Sequence, residues 1–141
     1  MHNEATIGAY LAKLNIPGVV KYTSQVISIE LIQDDKPVSV MGITMEYIRG
    51  ISLVNYWLLM GTLLPSPIKK RMALQIFKQI LNTFALLKKY GIYHRDIKAE
   101  NILIDLNTNT ATLIDFGFAI FSQDGRGTYI GHTDWYASPE V

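Results

Sequence analysis

The run His94-Arg95-Asp96-Ile97-Lys98-Ala99-Glu100-Asn101 sets an acid, a cation and an amide at short offsets, and Asp115-Phe116-Gly117 adds a second acid. Those side chains suit phosphoryl transfer. Asp96 can accept the proton of an attacking hydroxyl, and Lys98 can meet negative charge on the transferring group. Asn101 and Asp115 offer the hard oxygen ligands that Mg²⁺ prefers. Asp-Phe-Gly alone is common turn chemistry. Its position after the 94–101 run gives it weight, and Ser138-Pro139-Glu140 closes the series near the C-terminus.

These groups need elements to hold them. Residues 102–105 and 112–115 are short apolar runs joined by Leu106-Asn107-Thr108-Asn109-Thr110-Ala111, whose Asn and Thr favour turns. The pattern predicts a hairpin with Asn101 at one end and Asp115 at the other, so the two ligand candidates come close in space. Upstream, Ser66-Pro67 is a helix start, with Ser capping free N–H groups and Pro suiting the first turn. The helix is expected over residues 68–90, with Ala73, Ile76, Phe77, Ile80, Leu81, Phe84 and Leu87 as one apolar stripe, and Gly91 stops it. Lys69, Lys70, Arg71, Lys78, Lys88 and Lys89 read as its solvated face. Burying the stripe anchors Ile92-Tyr93 and hence the loop that carries Asp96.

The first half of the chain reads more simply. Residues 5–14 form a helix with Ile7, Leu11 and Leu14 on one face, ended by Pro17-Gly18. Residues 26–32 alternate apolar and polar, 33–37 turn, and 38–47 continue as a second strand, so a hairpin is expected. The most apolar window, 51–64, is interrupted by Ser52, Asn55 and Gly61 and ends at Pro65. It is too short to span a bilayer and is expected to be a buried helix.

Composition bounds the function classes. The chain has 141 residues, no cysteine and a formal net charge of +1. That length suffices for one modest domain. Near-neutral charge gives no reason to invoke nucleic acid or an anionic membrane as a partner. Without cysteine there is neither a disulfide framework nor a thiolate metal site, which fits a cytoplasmic protein, the nucleus included as an alternative. The N-terminus lacks the basic and apolar regions of a signal peptide.

Taken together, the motifs resemble the eukaryotic protein kinases over nearly the whole chain. Lys98, two residues after Asp96, looks like the serine/threonine-specific branch. The segment His132-Thr133-Asp134-Trp135-Tyr136-Ala137-Ser138-Pro139-Glu140 is similar to the family's Gly-Thr-x-x-Tyr-x-Ala-Pro-Glu, with His132 at the usual Gly and Ser138 at the usual Ala. Gly131 next to His132 can absorb the backbone angle that Gly would otherwise supply. The implied fold class is α+β: the end of an N-lobe (helix plus hairpin) and hinge over residues 1–48, then the first half of a helical C-lobe through the activation segment over residues 49–141.

The resemblance also implies roles. Asp96 becomes the catalytic base and Lys98 the partner of the γ-phosphate, while Asn101 and Asp115 hold Mg²⁺ together with the phosphates of ATP. Met45 lies at the back of an adenine pocket, the Glu46 carbonyl and Ile48 amide face the purine, and Leu103 floors it. His94 packs on Phe116 instead of moving protons, and Thr133 bridges Asp96 and Lys98. Arg95 implies regulation by an upstream kinase acting on Ser122, Thr128 or Tyr129, because a phosphate could pair with it. Acceptors are the Ser and Thr hydroxyls of proteins.

Two family parts find no counterpart in the sequence: the Gly-rich loop and the lysine on the strand after it. Glu4, just before the first helix, is the only acidic residue available to pair with such a lysine, and it lies further from Val20-Lys21-Tyr22 than is usual. The expectation is therefore a kinase fragment, cut at both ends, that alone binds nucleotide weakly, transfers phosphate slowly or not at all, and leaves apolar surface exposed. Two other readings stand beside it. A small-molecule kinase shares a related His-x-Asp…Asn…Asp arrangement, but Lys98 and the 133–140 segment serve peptide substrates. A truncated pseudokinase acting as a scaffold draws on the missing ATP elements and is opposed by the intact Asp96, Lys98, Asn101 and Asp115.

Overall fold

A computed structural model describes residues 2–122. The expectations on Thr128, Tyr129 and residues 131–140 lie outside the described residues. Helix α1 (His2–Leu14) turns Ile7 and Leu11 into the core and is followed by Asn15 and Gly18 in left-handed backbone. Strands β1 (Tyr22–Gln33) and β2 (Lys36–Met45) then pair antiparallel, Gln33 opposite Lys36. Asp34 and Asp35 between them both have positive φ, as a two-residue hairpin turn matched to strand twist demands. β1 begins earlier than residue 26, because Tyr22 pairs with Met45 across an irregularity that interrupts the alternation.

A short β3 (Ile51–Ser52) leads into α2 (Leu53–Leu63), capped by the Ser52 hydroxyl on the Asn55 amide at 3.3 Å. The expectation of a buried helix here needs correction. Within α2 Tyr56 alone is buried, while Leu58 and Leu63 are about two-thirds exposed. Apolar composition without a one-sided pattern did not reveal which face packs.

Helix α3 (Ser66–Lys89) is the longest element. Its N-cap is Pro65, whose carbonyl accepts from Ile68 and Lys69 at 3.1 Å, so Ser66 lies inside the first turn and makes no cap. Ile76 and Leu87 are buried and Ile80 and Phe84 pack against the core, but Phe77 and Leu81, placed on the same stripe from sequence, are about half exposed. The packed face is narrower than the apolar one. Lys69 is also more than a solvated cation, since its Nζ donates to the Gly61 carbonyl at 2.6 Å and ties α3 back to α2.

After α3, Gly91 takes φ +68, where a Cβ would meet the Ser122 carbonyl at 2.9 Å. β4 (Ile92–Tyr93) pairs with β7 (Ile120–Phe121). A 3-10 turn (Ala99–Asn101) runs into β5 (Ile102–Ile104), which pairs antiparallel with β6 (Ala111–Leu113) as the sequence predicts. β3 adds to the other edge of β5, giving the order β3-β5-β6. The core runs from α1 through Val19, Val20 and Tyr22 to Ile102, Ile104, Leu113 and Phe116. No helix among the described residues is long and apolar enough to cross a membrane.

Candidate active site

The hairpin delivers what its pattern promised. The Ile114 amide donates to the Asn101 carbonyl at 2.9 Å, locking the start of β5 to the exit of β6, one residue before Asp115. Asn101 is buried, and its Nδ2 donates both to the Asp96 carbonyl and to Asp96 Oδ2, each at 2.9 Å. Both amide hydrogens are thereby committed to Asp96, so the amide oxygen is the atom suited to a cation. Lys98 Nζ lies 2.8 Å from the same Oδ2, and the Asp96 side chain is 1% exposed. This bond, backed by the charges of Asp96, Asp115 and Glu100, pushes the Lys98 amine up, keeping it charged.

His94 fixes the loop from behind. Its Nε2 faces the Ile114 carbonyl at 2.9 Å, which can only accept, so Nε2 carries the proton and Nδ1 accepts the Asp96 amide at 3.3 Å. Burial pushes the His94 imidazole down in pKa, toward the neutral form. Its ring meets Phe116 edge-on at 4.6 Å, and Phe116 also meets Tyr22 at 6.3 Å. The expected packing of His94 on Phe116 is present.

Arg95 and Asp115 both adopt left-handed backbone, with φ of 67° and 62°. For a non-glycine residue that costs about 1 kcal/mol or more, and such outliers persist where surrounding bonds over-determine them. Here one outlier precedes Asp96 and the other is Asp115 itself. Asp115 itself is exposed, and its Oδ1 accepts the Gly117 amide at 3.3 Å.

Glu4 arrives from α1 at the same place. A Cβ on Gly117 would lie 3.3 Å from Asp115 Oδ1 and 3.7 Å from Glu4 Oε2, so both carboxylates border Gly117. Burial first, then the Asp115 charge, pushes the Glu4 carboxyl up. The buried Tyr22 hydroxyl has no hydrogen-bond partner of ordinary geometry, though the Glu4 carboxylate and the Phe116 backbone are near enough to influence it. Convergent carboxylates are the donor set a divalent cation fits. Among the described residues no group of three or more His, Asp or Glu is placed to hold a metal by itself. One amide oxygen and one carboxylate suit Mg²⁺ that brings phosphate oxygens as its remaining ligands.

The adenine-site candidates are held by backbone. The Glu46 amide donates to the Lys21 carbonyl at 2.8 Å, and Glu46 Oε1 accepts the Lys21 amide at 2.9 Å. The Gly50 amide closes a tight turn on the Ile48 carbonyl at 2.9 Å. Gly50 must be glycine, since a Cβ would approach the Ile104 carbonyl to 2.6 Å. Ser52 pairs with Leu103, which brings the segment after Ile48 alongside the half-buried Leu103. Met45, at the end of β2, is 43% exposed. Among the described residues, the Glu46 carbonyl and the Ile48 amide have no backbone partner.

Sequence reasoning missed the polar residues of α3 and α2 that grip the hairpin, Gln79 and Tyr56. The available signal was Gln79 and Thr83, one turn apart, interrupting the apolar stripe.

A family model described as "Protein kinase domain" matches residues 3–141. Similar curated proteins include CBL-interacting serine/threonine-protein kinase 19 of Arabidopsis thaliana, 35% identical over 101 residues, covering 69% of this chain and 20% of that protein. Serine/threonine-protein kinase cds1 of Schizosaccharomyces pombe is 34% identical over 134 residues, covering 93% of this chain and 26% of that protein. The solved structure of the Cydia pomonella granulovirus kinase PK-1 superposes with a TM-score of 0.63 at 22% identity, covering 98% of this chain and 46% of that one, and shows the same fold. This chain thus spans between a fifth and about a quarter of the length of these curated relatives.

Proposed function

This chain belongs to the protein kinase domain family, and from that premise we propose that it carries the catalytic loop and metal-binding turn of an ATP-dependent serine/threonine protein kinase. The observation that carries the reading is the buried Asp96 carboxylate held by Lys98 at 2.8 Å and Asn101 at 2.9 Å, with Asp115 within electrostatic reach of Lys98. Residues 1–48 would form the N-lobe part and hinge, and 49–141 the start of the C-lobe.

In this reading Asp96 orients the acceptor hydroxyl of a Ser or Thr side chain and takes its proton as oxygen bonds to the γ-phosphorus and ADP leaves. Lys98 keeps a positive charge beside the group in transfer. Asn101, through its amide oxygen, and Asp115 would hold Mg²⁺, which when bound neutralises phosphate charge. Glu46 and Ile48 offer a carbonyl and an amide to adenine, between Met45 and Leu103. Arg95 remains the candidate receiver of an activating phosphate placed by an upstream kinase, and a cytoplasmic setting is part of the same proposal. Protein Ser/Thr hydroxyls are the acceptors, and neither nucleic acid nor membrane is invoked. The non-catalytic scaffold reading is not favoured, since the catalytic side chains are intact and the similar curated proteins are named as kinases.

The test is transfer of labelled γ-phosphate from ATP to a Ser/Thr peptide mixture, in parallel with calorimetric ATP binding with and without Mg²⁺. Transfer by the chain that Asp96→Asn removes, with Mg²⁺-dependent binding that Asp115→Asn removes, supports the reading. ATP binding indifferent to Mg²⁺ and to Asp115 would overturn it.

A further inference from the structure

The far end of the β5–β6 hairpin is gripped by two helices that carry no reacting group. Gln79, on α3, donates from Nε2 to the Asn109 carbonyl at 2.9 Å and accepts the Ala111 amide on Oε1 at 3.0 Å. One side-chain amide thus satisfies the backbone groups on either side of Thr110, as a neighbouring strand would. Asn109 is in left-handed backbone, and its Oδ1 accepts the hydroxyl of the fully buried Tyr56 from α2 at 3.1 Å.

The free edge of β6 is closed by residues 18–20. Leu113 donates to the Gly18 carbonyl at 2.7 Å and accepts the Val20 amide at 3.0 Å. Thr83, one helical turn after Gln79, donates to the Pro17 carbonyl at 3.1 Å. Helix α3 therefore holds both β6 and the segment against it. From Ala111 to Asp115 is about 13 Å of extended chain, and Ile114 within it is bonded to Asn101.

We infer that Gln79 is a positioning residue for Asn101 and Asp115: by fixing the turn at Asn109–Ala111 it sets the register in which the two ligands face one cation. This rests on the reading of that pair given under the proposed function. A side chain that only satisfied buried backbone would affect stability and leave metal affinity alone.

The experiment compares Gln79→Met, which keeps the volume and loses both bonds, with Gln79→Glu, which keeps the acceptor for Ala111 and loses the donor to Asn109. Ile76→Ala is the reference: it removes core packing, lowers Tm at least as far, and deletes no hydrogen bond to the hairpin. The readouts are the Mg²⁺ half-saturation of ATP binding by calorimetry and hydrogen exchange at the amides of residues 113–115. Gln79→Met is expected to raise the half-saturation about fivefold, below the roughly 10–100-fold lost when a direct partner of a metal ligand is removed. Gln79→Glu should fall between it and wild type, with faster exchange at 113–115 in the same order. Ile76→Ala should leave the half-saturation where it is. Equal half-saturation in Gln79→Met and Ile76→Ala overturns the inference while the proposed function stands. Loss of Mg²⁺ dependence in the unmodified chain overturns both.

Discussion

Lys98 Nζ sits 2.8 Å from Asp96 Oδ2, on the same oxygen that Asn101 Nδ2 reaches at 2.9 Å. One buried carboxylate oxygen therefore organises a cation and an amide that arrive from the two sides of a 3-10 turn. The pair sits in a loop whose backbone is fixed by His94 and by the Asn101–Ile114 bond, so the ion pair is built before any substrate arrives.

In the proposed reading, Asp96→Asn keeps the shape and removes the base. Whatever phosphate transfer the chain supports should fall by about 10²- to 10⁴-fold, the usual range for a positioned acid or base, while Mg²⁺-dependent ATP binding is retained. Single-turnover transfer and calorimetry on the same preparation check both halves.

His94 gives a pH signature. Its folded pKa lies below the ordinary 6.5 because burial disfavours the imidazolium. The unfolded chain binds a proton near pH 6.5 and the folded chain only at lower pH, so stability from this group is complete above 6.5 and is lost as pH falls through it. Tm should drop between pH 7.5 and about pH 5, and part of that slope should disappear in His94→Gln. Parallel slopes in the two proteins would contradict the burial argument.

Core and surface isoleucines should separate cleanly. Ile104 is fully buried in β5, and Ile104→Val should cost about 0.5–1.5 kcal/mol in urea denaturation. Ile32, at 82% exposure beside the β1–β2 turn, should tolerate Ile32→Thr within about 0.5 kcal/mol.

The outward faces of α2 and α3 carry Trp57, Leu58, Leu63, Phe77 and Leu81, all exposed. Apolar patches of that kind promote association. A Leu58→Lys, Leu63→Lys, Phe77→Ser variant should sediment as a smaller, less concentration-dependent species than the parent chain. Its unfolding free energy should move little, because these side chains bury little surface.

Much of this arrangement was legible in the sequence, and the exceptions have physical causes. The hairpin carrying Asn101 and Asp115 was readable because Asn107, Thr108 and Asn109 mark a turn between two short apolar runs. The contact of His94 with Phe116 followed from the family resemblance. The packed face of α2 was not readable, since Leu58, Leu59 and Leu63 are as apolar as any core residue and only tertiary contacts single out Tyr56. Ser66 looked like a cap because Ser is a good one, yet the carbonyl of Pro65 starts the helix first. The β4–β7 pairing was invisible because two-residue strands have no period to detect. Gln79 was missed because a lone amide on an apolar stripe declares its partners only once the hairpin is in place. Glu4 was read only as the partner of a strand lysine, and its place beside Asp115 at Gly117 became visible once α1 was docked.

The most direct measurement is paramagnetic broadening of amide signals when Mn²⁺ and ATP are added to the isotope-labelled chain. The account predicts broadening concentrated at residues 96–101 and 114–117 that collapses in Asp115→Asn. Broadening centred elsewhere, or unchanged by Asp115→Asn, would contradict a shared cation site between the loop and the turn.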